Sequence, residues 1–292
     1  MSGSEKKEKQ QGSNPADSRL GFYVYCIAET ITAKQIAAQS LPAAIEDGAE
    51  LELVTSGQLT AIASSVPLSI YGEDTLTERL TDATWTAVRA MRHEQVVEHF
   101  ARRASVVPLR FGTIYLERIG IERMLLEKRK ELGEIIERLR DREEWGVNVH
   151  CDRAAWFAGI TSVSPRLRDL AKRAEQATPG QSYLMQKKIE TLRADEARAE
   201  IIRVVDEIEN TLRANSDEAK RLRVLKVETT EYGELKAKFA FLIQRSAFET
   251  FRESAENLAR KNEELGIRLE LTGPWPAYNF AAENITGKQV EK

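Results

Sequence analysis

Cysteine is scarce: Cys26 and Cys151 are the two in 292 residues, too few for a disulfide framework and ordinary for a reducing compartment. No uninterrupted apolar run approaches the roughly 20 residues that cross a bilayer, so a soluble, cytoplasmic chain with no membrane insertion is expected. Neither sign of charge dominates. The 43 Lys and Arg against 46 Asp and Glu give a net charge of −3, which offers no broad basic field to a phosphate backbone and argues against a nucleic-acid partner. There is also no Walker loop, no Gly-x-Gly-x-x-Gly run, no Gly-x-Ser-x-Gly elbow and no Cys-x-x-Cys pair. The many carboxylates interleave with Lys and Arg as solvated helix faces do. No residue stands out as catalytic, and no cofactor or metal is implied.

What is present suits an ordinary globular protein, with 42% hydrophobic and 30% charged residues. The length favours two domains over one. Residues 1–19 are Ser, Gly, Gln, Lys and Glu without an apolar segment, so they cannot serve as a secretory signal and are expected to form a disordered tail. A first α+β domain is expected over 20–143: a strand at Phe22 to Ala28, a short helix after Ile31, and a hairpin turning at Ser56-Gly57. Thr81 or Asp82 can cap a long helix in which His93, Val96, Val97 and Phe100 form one buried face. Strand composition resumes from Val106 to Tyr115. A second long helix carries Ile121, Leu125, Leu132 and Ile135 on one stripe.

The charged run Asp141 to Glu144 reads as a domain boundary, and a second domain is expected over 144–273. Trp145, Val147, Val149 and Cys151 alternate at period two, as in a half-buried strand. Asp152 to Gly180, with Pro165 and Pro179, reads as irregular. A long helix N-capped by Ser182 follows, then a hairpin from Leu222 to Ile243, a helix with Phe248, Phe251 and Leu258 on one face, and a last strand at Ile267 to Leu271. The order strand, helix, strand, strand, helix, strand is the split βαβ pattern of ferredoxin-like domains. The fold class is therefore α+β, with a ferredoxin-like C-terminal domain (βαββαβ) and an N-terminal small sheet with two long helices.

Four groups of residues invite a functional reading. His93-Glu94 and Glu98-His99 approach the zinc-helix motif, but Val97 stands where the second histidine belongs, and the two imidazoles fall nearly opposite each other on the helix. His93 therefore reads as a buried, hydrogen-bonded histidine. Phe239 and Phe241 on a ferredoxin-like strand resemble base-stacking aromatics, which keeps an RNA-binding alternative open beside an uncharacterised small-molecule enzyme. Lys238, Gln244 and the Trp145 strand fit that pattern poorly, and both rings read as core. In residues 274–292, Pro274 and Pro276 stiffen a ribbon holding Trp275, Tyr278 and Phe280. The ribbon either packs back over a sheet or another domain, burying its aromatics, or presents them to a partner. Arg110 and Phe111 are expected on a strand, with Gly112 allowing close backbone approach. Phe111 then belongs in the core, and Arg110 pairs with a carboxylate between domains.

Two of these segments, Pro108-Leu109-Arg110-Phe111-Gly112 and Gly273-Pro274-Trp275-Pro276-Ala277-Tyr278-Asn279-Phe280, resemble the signature segments of the GvpL/GvpF family of gas vesicle proteins. Tyr23-Val24-Tyr25, His93 with Val96, Val97 and Glu98, and Gly180, Tyr183-Leu184 and Lys187-Lys188 match in the expected order. The chain departs from the family at Met185-Gln186, where related sequences carry a more basic run, which weakens an electrostatic role for that segment. The resemblance implies a non-catalytic, cytoplasmic, two-domain protein of gas vesicle formation. Its partners would be the small hydrophobic shell protein and further accessory proteins, and its role nucleation, chaperoning or a place in the wall.

Overall fold

A computed structural model describes residues 19–224 and 229–281. The expected tail, except Arg19, lies outside the described residues, as do 225–228 of the expected hairpin and 282–292 of the C-terminal extension. The described residues divide into two compact units, 19–140 with 281, and Asp141–Phe280.

The first unit runs β1 (Leu20–Glu29), α1 (Thr30–Ala37), β2 (Leu51–Ser56), β3 (Leu59–Pro67), α2 (Leu68–Tyr71), α3 (Glu73–Arg79), α4 (Ala83–Ala101), β4 (Val107–Pro108), β5 (Ile114–Tyr115), α5 (Arg118–Glu127) and α6 (Arg129–Arg138). The sheet order is β2-β3-β1-β4, with β5 also on β1. β1 is thus central, and Tyr23 through Ala28 are fully buried, which is why its sequence is a continuous apolar run rather than an alternation. Asp82 caps α4 by accepting from the Thr84 and Trp85 amides at 3.0 and 3.1 Å. The buried residues of α4 are His93, Val96, Val97 and Phe100, as their spacing predicts.

Two expectations for this unit need correction. The second long helix is two ten-residue helices, α5 and α6, broken at Lys128 (φ −95°, ψ 11°). The bonds Lys128 N–Met124 O (3.0 Å) and Leu132 N–Lys128 O (2.9 Å) survive the break, so one residue's ψ re-aims the chain without the Gly or Pro that usually marks a kink. Val106 to Tyr115 is not one strand. Only the two-residue β4 and β5 pair with β1, and Phe111-Gly112 turn between them.

The second unit runs β6 (Arg142–Cys151), α7 (Arg153–Val163), α8 (Pro165–Glu175), α9 (Pro179–Arg213), β7 (Glu218–Leu222), β8 (Thr229–Thr230), β9 (Gly233–Gln244), α10 (Phe248–Asn262), β10 (Ile267–Trp275) and α11 (Tyr278–Ala281). Its sheet is antiparallel throughout, in the order β10-β6-β9-β7. Numbered within the unit this is 4-1-3-2, the ferredoxin-like arrangement. Val147, Val149, Cys151, Phe239, Phe241 and Ile243 line one sheet face and join Val205, Ile208 and Leu212 of α9 and Phe251 and Leu258 of α10 in the core. The charged run Arg142 to Glu144 is the start of β6.

Asp152 to Gly180 is helical, not irregular. Asp152 accepts from the Ala154 and Ala155 amides at 2.8 and 3.1 Å, and Ser164 from the Leu167 amide at 3.2 Å. Pro165 and Pro179 open helices instead of breaking them, because a first-turn residue needs no amide hydrogen and already has the φ that proline imposes. α9 accordingly starts one turn before the expected Ser182, with Thr178 as its N-cap. At 35 residues the helix is about 52 Å long. Its buried residues begin at Ala197; α9 also packs on α7 and α8, with Arg193 donating to the Phe157 carbonyl at 2.9 Å.

Candidate functional site

The Pro108–Gly112 segment is held by a buried polar network. Pro108 pairs with Cys26 across the sheet, and the Leu109 amide donates to the Tyr25 carbonyl at 2.9 Å. The Gly112 amide donates to Tyr23 Oη at 3.0 Å, and Tyr23 Oη lies 2.9 Å from His93 Nδ1. The Leu109 carbonyl can only accept, so the neutral His93 ring carries its proton on Nε2 and donates it there, and Nδ1 accepts from the Tyr23 hydroxyl. Burial drives the His93 pKa down to about 4, against that last hydrogen bond, which raises it. The imidazole is therefore neutral at physiological pH. Burial also pushes the Tyr23 hydroxyl well above its ordinary value and Tyr25 up to about 12.

Gly112 has φ +83°, the left-handed region where a side chain is strained. Phe111 sets its ring edge against Tyr23 and His93 with centroids 6.1 and 5.8 Å away. It is half-buried rather than deep in the core. Arg110 is exposed at the turn. The turn leaves its side chain pointing out because Phe111 takes the inward position.

The Gly273–Phe280 segment is anchored differently. Gly273 (φ +125°) leads into a cis bond to Pro274, and a Cβ at Gly273 would lie 3.1 Å from the Glu144 carbonyl oxygen. The chain then crosses the sheet face opposite the helices. There the buried Glu144 carboxylate accepts from the Asn279 amide at 3.0 Å and from Asn279 Nδ2 at 2.5 Å. Phe280 is 2% exposed, with Lys220 Nζ 5.7 Å from its ring centroid. Pro276 is buried and Tyr278 half-buried. Trp275 differs: its side chain is 50% exposed, fixed by Nε1 donating to Thr272 Oγ1 at 3.1 Å. The ribbon divides between the two readings, with Phe280 buried and Trp275 half-exposed.

Tyr183 stands exposed on the second turn of α9, beside an exposed Leu184. Phe239 and Phe241 are buried under α10, with Phe241 5.2 Å from Phe251 between centroids, so neither ring can stack on a base. Among the described residues no group of three His, Cys, Asp or Glu side chains is placed to hold a metal ion. An open cleft of about 300 Å³ beside Ser162, Glu200 and Asn262 has its buried carboxylate already bound twice by Arg203, at 2.9 Å each.

The sheet edges are unequal. At β2, Arg118 Nη2 donates to the Leu53 carbonyl at 3.0 Å; at β7, Arg213 Nη1 donates to the Ala219 carbonyl at 3.3 Å. Guanidinium groups lying on an edge blunt it. β10 is the outer strand beyond β6 and has no further strand partner among the described residues. It carries half-buried Leu269 and Leu271 and ends at Trp275. The expected ferredoxin-like order implies an outer last strand; its ending at a half-exposed Trp275 is a matter of packing that the strand's own letters do not carry.

Among the described residues no helix is long and apolar enough to cross a membrane. Compared with known proteins, residues 21–282 match the model of the family described as "Gas vesicle synthesis protein GvpL/GvpF". Gas vesicle protein L of Streptomyces sp. (strain CB03234) is 28% identical over 238 residues, covering 78% of this chain and 82% of that protein. Gas vesicle protein L1 of Halobacterium salinarum is 22% identical over 279 residues, covering 90% and 91%. Among solved structures, the gas vesicle protein GvpF of Anabaena sp. PCC7120 shares the fold with a TM-score of 0.64 at 19% identity, over 90% of this chain and 96% of that one.

Proposed function

The chain belongs to the GvpL/GvpF family of gas vesicle proteins, and takes part in gas vesicle formation, and from that premise we propose that it acts without catalysis, by binding the small hydrophobic shell protein. The observation that supports this reading most directly is the unpaired edge of β10 ending at the half-exposed Trp275. A shell subunit rich in β-structure exposes strand edges and apolar surface before it is incorporated. An open antiparallel edge supplies main-chain hydrogen bonds to such a strand, and a neighbouring aromatic supplies buried area at low entropic cost. The buried ionisable groups of the first unit bond to one another or to backbone, which suits structural work better than proton transfer. In this reading the protein resides in the cytoplasm and at the gas vesicle.

The test is co-precipitation of the purified full chain with the shell protein, together with vesicle yield in a deletion strain. Trp275→Ala is expected to weaken capture of the shell protein about tenfold, the loss of about 1.4 kcal/mol. No capture by the unaltered chain, with normal vesicles in its absence, would discard the reading. Probing washed, intact vesicles for the chain separates a transient assembly factor from a retained wall component.

A further inference from the structure

The crossover helices of the second unit concentrate positive charge. From Arg153 to Arg193 there are eight basic and three acidic residues, a net +5 within a chain of net −3. These residues belong to α7, α8 and the N-terminal half of α9, which pack on one another. Arg168 and Lys172 of α8 and Lys188 of α9 are exposed and have no ion-pair partner among the described residues. Tyr183 and Leu184 are exposed in the first turns of α9, and Leu184, 68% exposed, lies one helical turn before Lys188 on the same face. An exposed aromatic and aliphatic pair on a helix arm of net positive charge has the composition of a protein contact. A nucleic-acid site would need a broader basic surface and stacking rings.

The complementary surface lies on the first unit. The outer side of α4 exposes Ala83, Ala87, Val88 and Met91 without a charge among them, Met91 being 58% exposed, and Leu80 just before the helix extends the patch. α3, which leads into α4 through Leu80 to Asp82, carries exposed Glu73, Asp74 and Glu78 against one exposed cation, Arg79, and these three carboxylates have no ion-pair partner among the described residues. An apolar centre with an acidic margin thus matches an apolar centre with a basic margin.

We propose that the α7–α8–α9 arm of one molecule docks on the α3–α4 face of a second copy of this chain, head to tail. Tyr183 and Leu184 meet Leu80, Val88 and Met91, and Lys172 and Lys188 meet Glu73 and Glu78. Because the two contacting surfaces differ, each copy keeps one of each free, and the association is heterologous and able to extend. It is separate from shell-protein capture at β10.

Sedimentation velocity on the full chain tests this. The unaltered protein gains mass with concentration at about 0.1 M salt and loses it at about 1 M, where the screening length falls from about 10 Å to about 3 Å. The arm variant K172E/K188E and the face variant E73K/E78K each associate with themselves at least tenfold more weakly. Mixed in equal amounts, they form a one-to-one pair and nothing larger, since only one good arm and one good face remain. A misfolded variant could not restore that pair. A monomer at every concentration, variants that associate like the parent, or a mixture that stays monomeric overturns the proposal. A chain that captures shell protein yet never self-associates defeats this inference alone, and the reverse result defeats the shell reading alone.

Discussion

The Pro108–Gly112 and Gly273–Phe280 segments are equally conspicuous as strings of letters, yet the folded chain uses them in opposite ways. The first is turned inward: its amide and carbonyl groups close on Tyr23 and His93, and its one charged side chain, Arg110, is left in water. The second is turned both ways, with Asn279 and Phe280 fastened against Glu144 and Lys220 and Trp275 left half in solvent. The difference teaches that a motif built of Pro, Gly and aromatics says only that the backbone there is special. Whether it closes a core or offers a surface depends on what lies beneath it.

The contrast can be broken most severely at Phe280. Phe280→Ala removes a ring that is 2% exposed and is expected to cost about 3–5 kcal/mol, read as a lowered urea midpoint. A cost near zero would mean that the ribbon is not anchored. Next comes acid. An unfolded His93 takes up a proton between pH 6.5 and about 4 that the folded imidazole refuses. Stability from this group is therefore complete above about pH 6.5 and falls as pH drops through that window, by on the order of 3 kcal/mol. His93→Gln should flatten the dependence between pH 7 and about 4; an unchanged pH slope would show that His93 is not the group responsible.

Gly112→Ala sharpens the inward half of the comparison. A Cβ there has room, its nearest neighbour being Leu76 Cδ2 at 3.6 Å, but φ is +83°, so about 1–2 kcal/mol is expected from the left-handed conformation alone. Shell capture should be unaffected. The smallest effect belongs to Trp275→Ala, about 0.5 kcal/mol or less in stability, set against the large loss of binding stated above. If the melting temperature falls as far as for Phe280→Ala, Trp275 belongs to the core and the two halves of its segment are alike.

Much of the architecture is legible locally. His93, Val96, Val97 and Phe100 mark the buried face of α4, and the alternation from Val147 to Cys151 marks the inner face of β6. The misreadings have physical causes. Pro165 and Pro179 were expected among irregular chain, yet a proline preceded by Ser164 or Thr178 opens a helix. The break at Lys128 leaves the hydrogen bonds on either side intact, so composition has nothing to register there.

The sequence by itself determined the α+β class and the ferredoxin-like strand and helix order, because helix and strand periods are imposed by backbone geometry and show within a few residues; the resemblance to the family rested on the letters of the Pro108–Gly112 and Gly273–Phe280 segments. Only the tertiary structure decided that Tyr23 reaches His93 and Gly112, 70 and 89 residues away, and that Trp275 stays half-exposed on the ribbon whose Phe280 is buried. Those outcomes depend on which faces meet across the fold, and no local spacing encodes a meeting between segments so far apart in the chain.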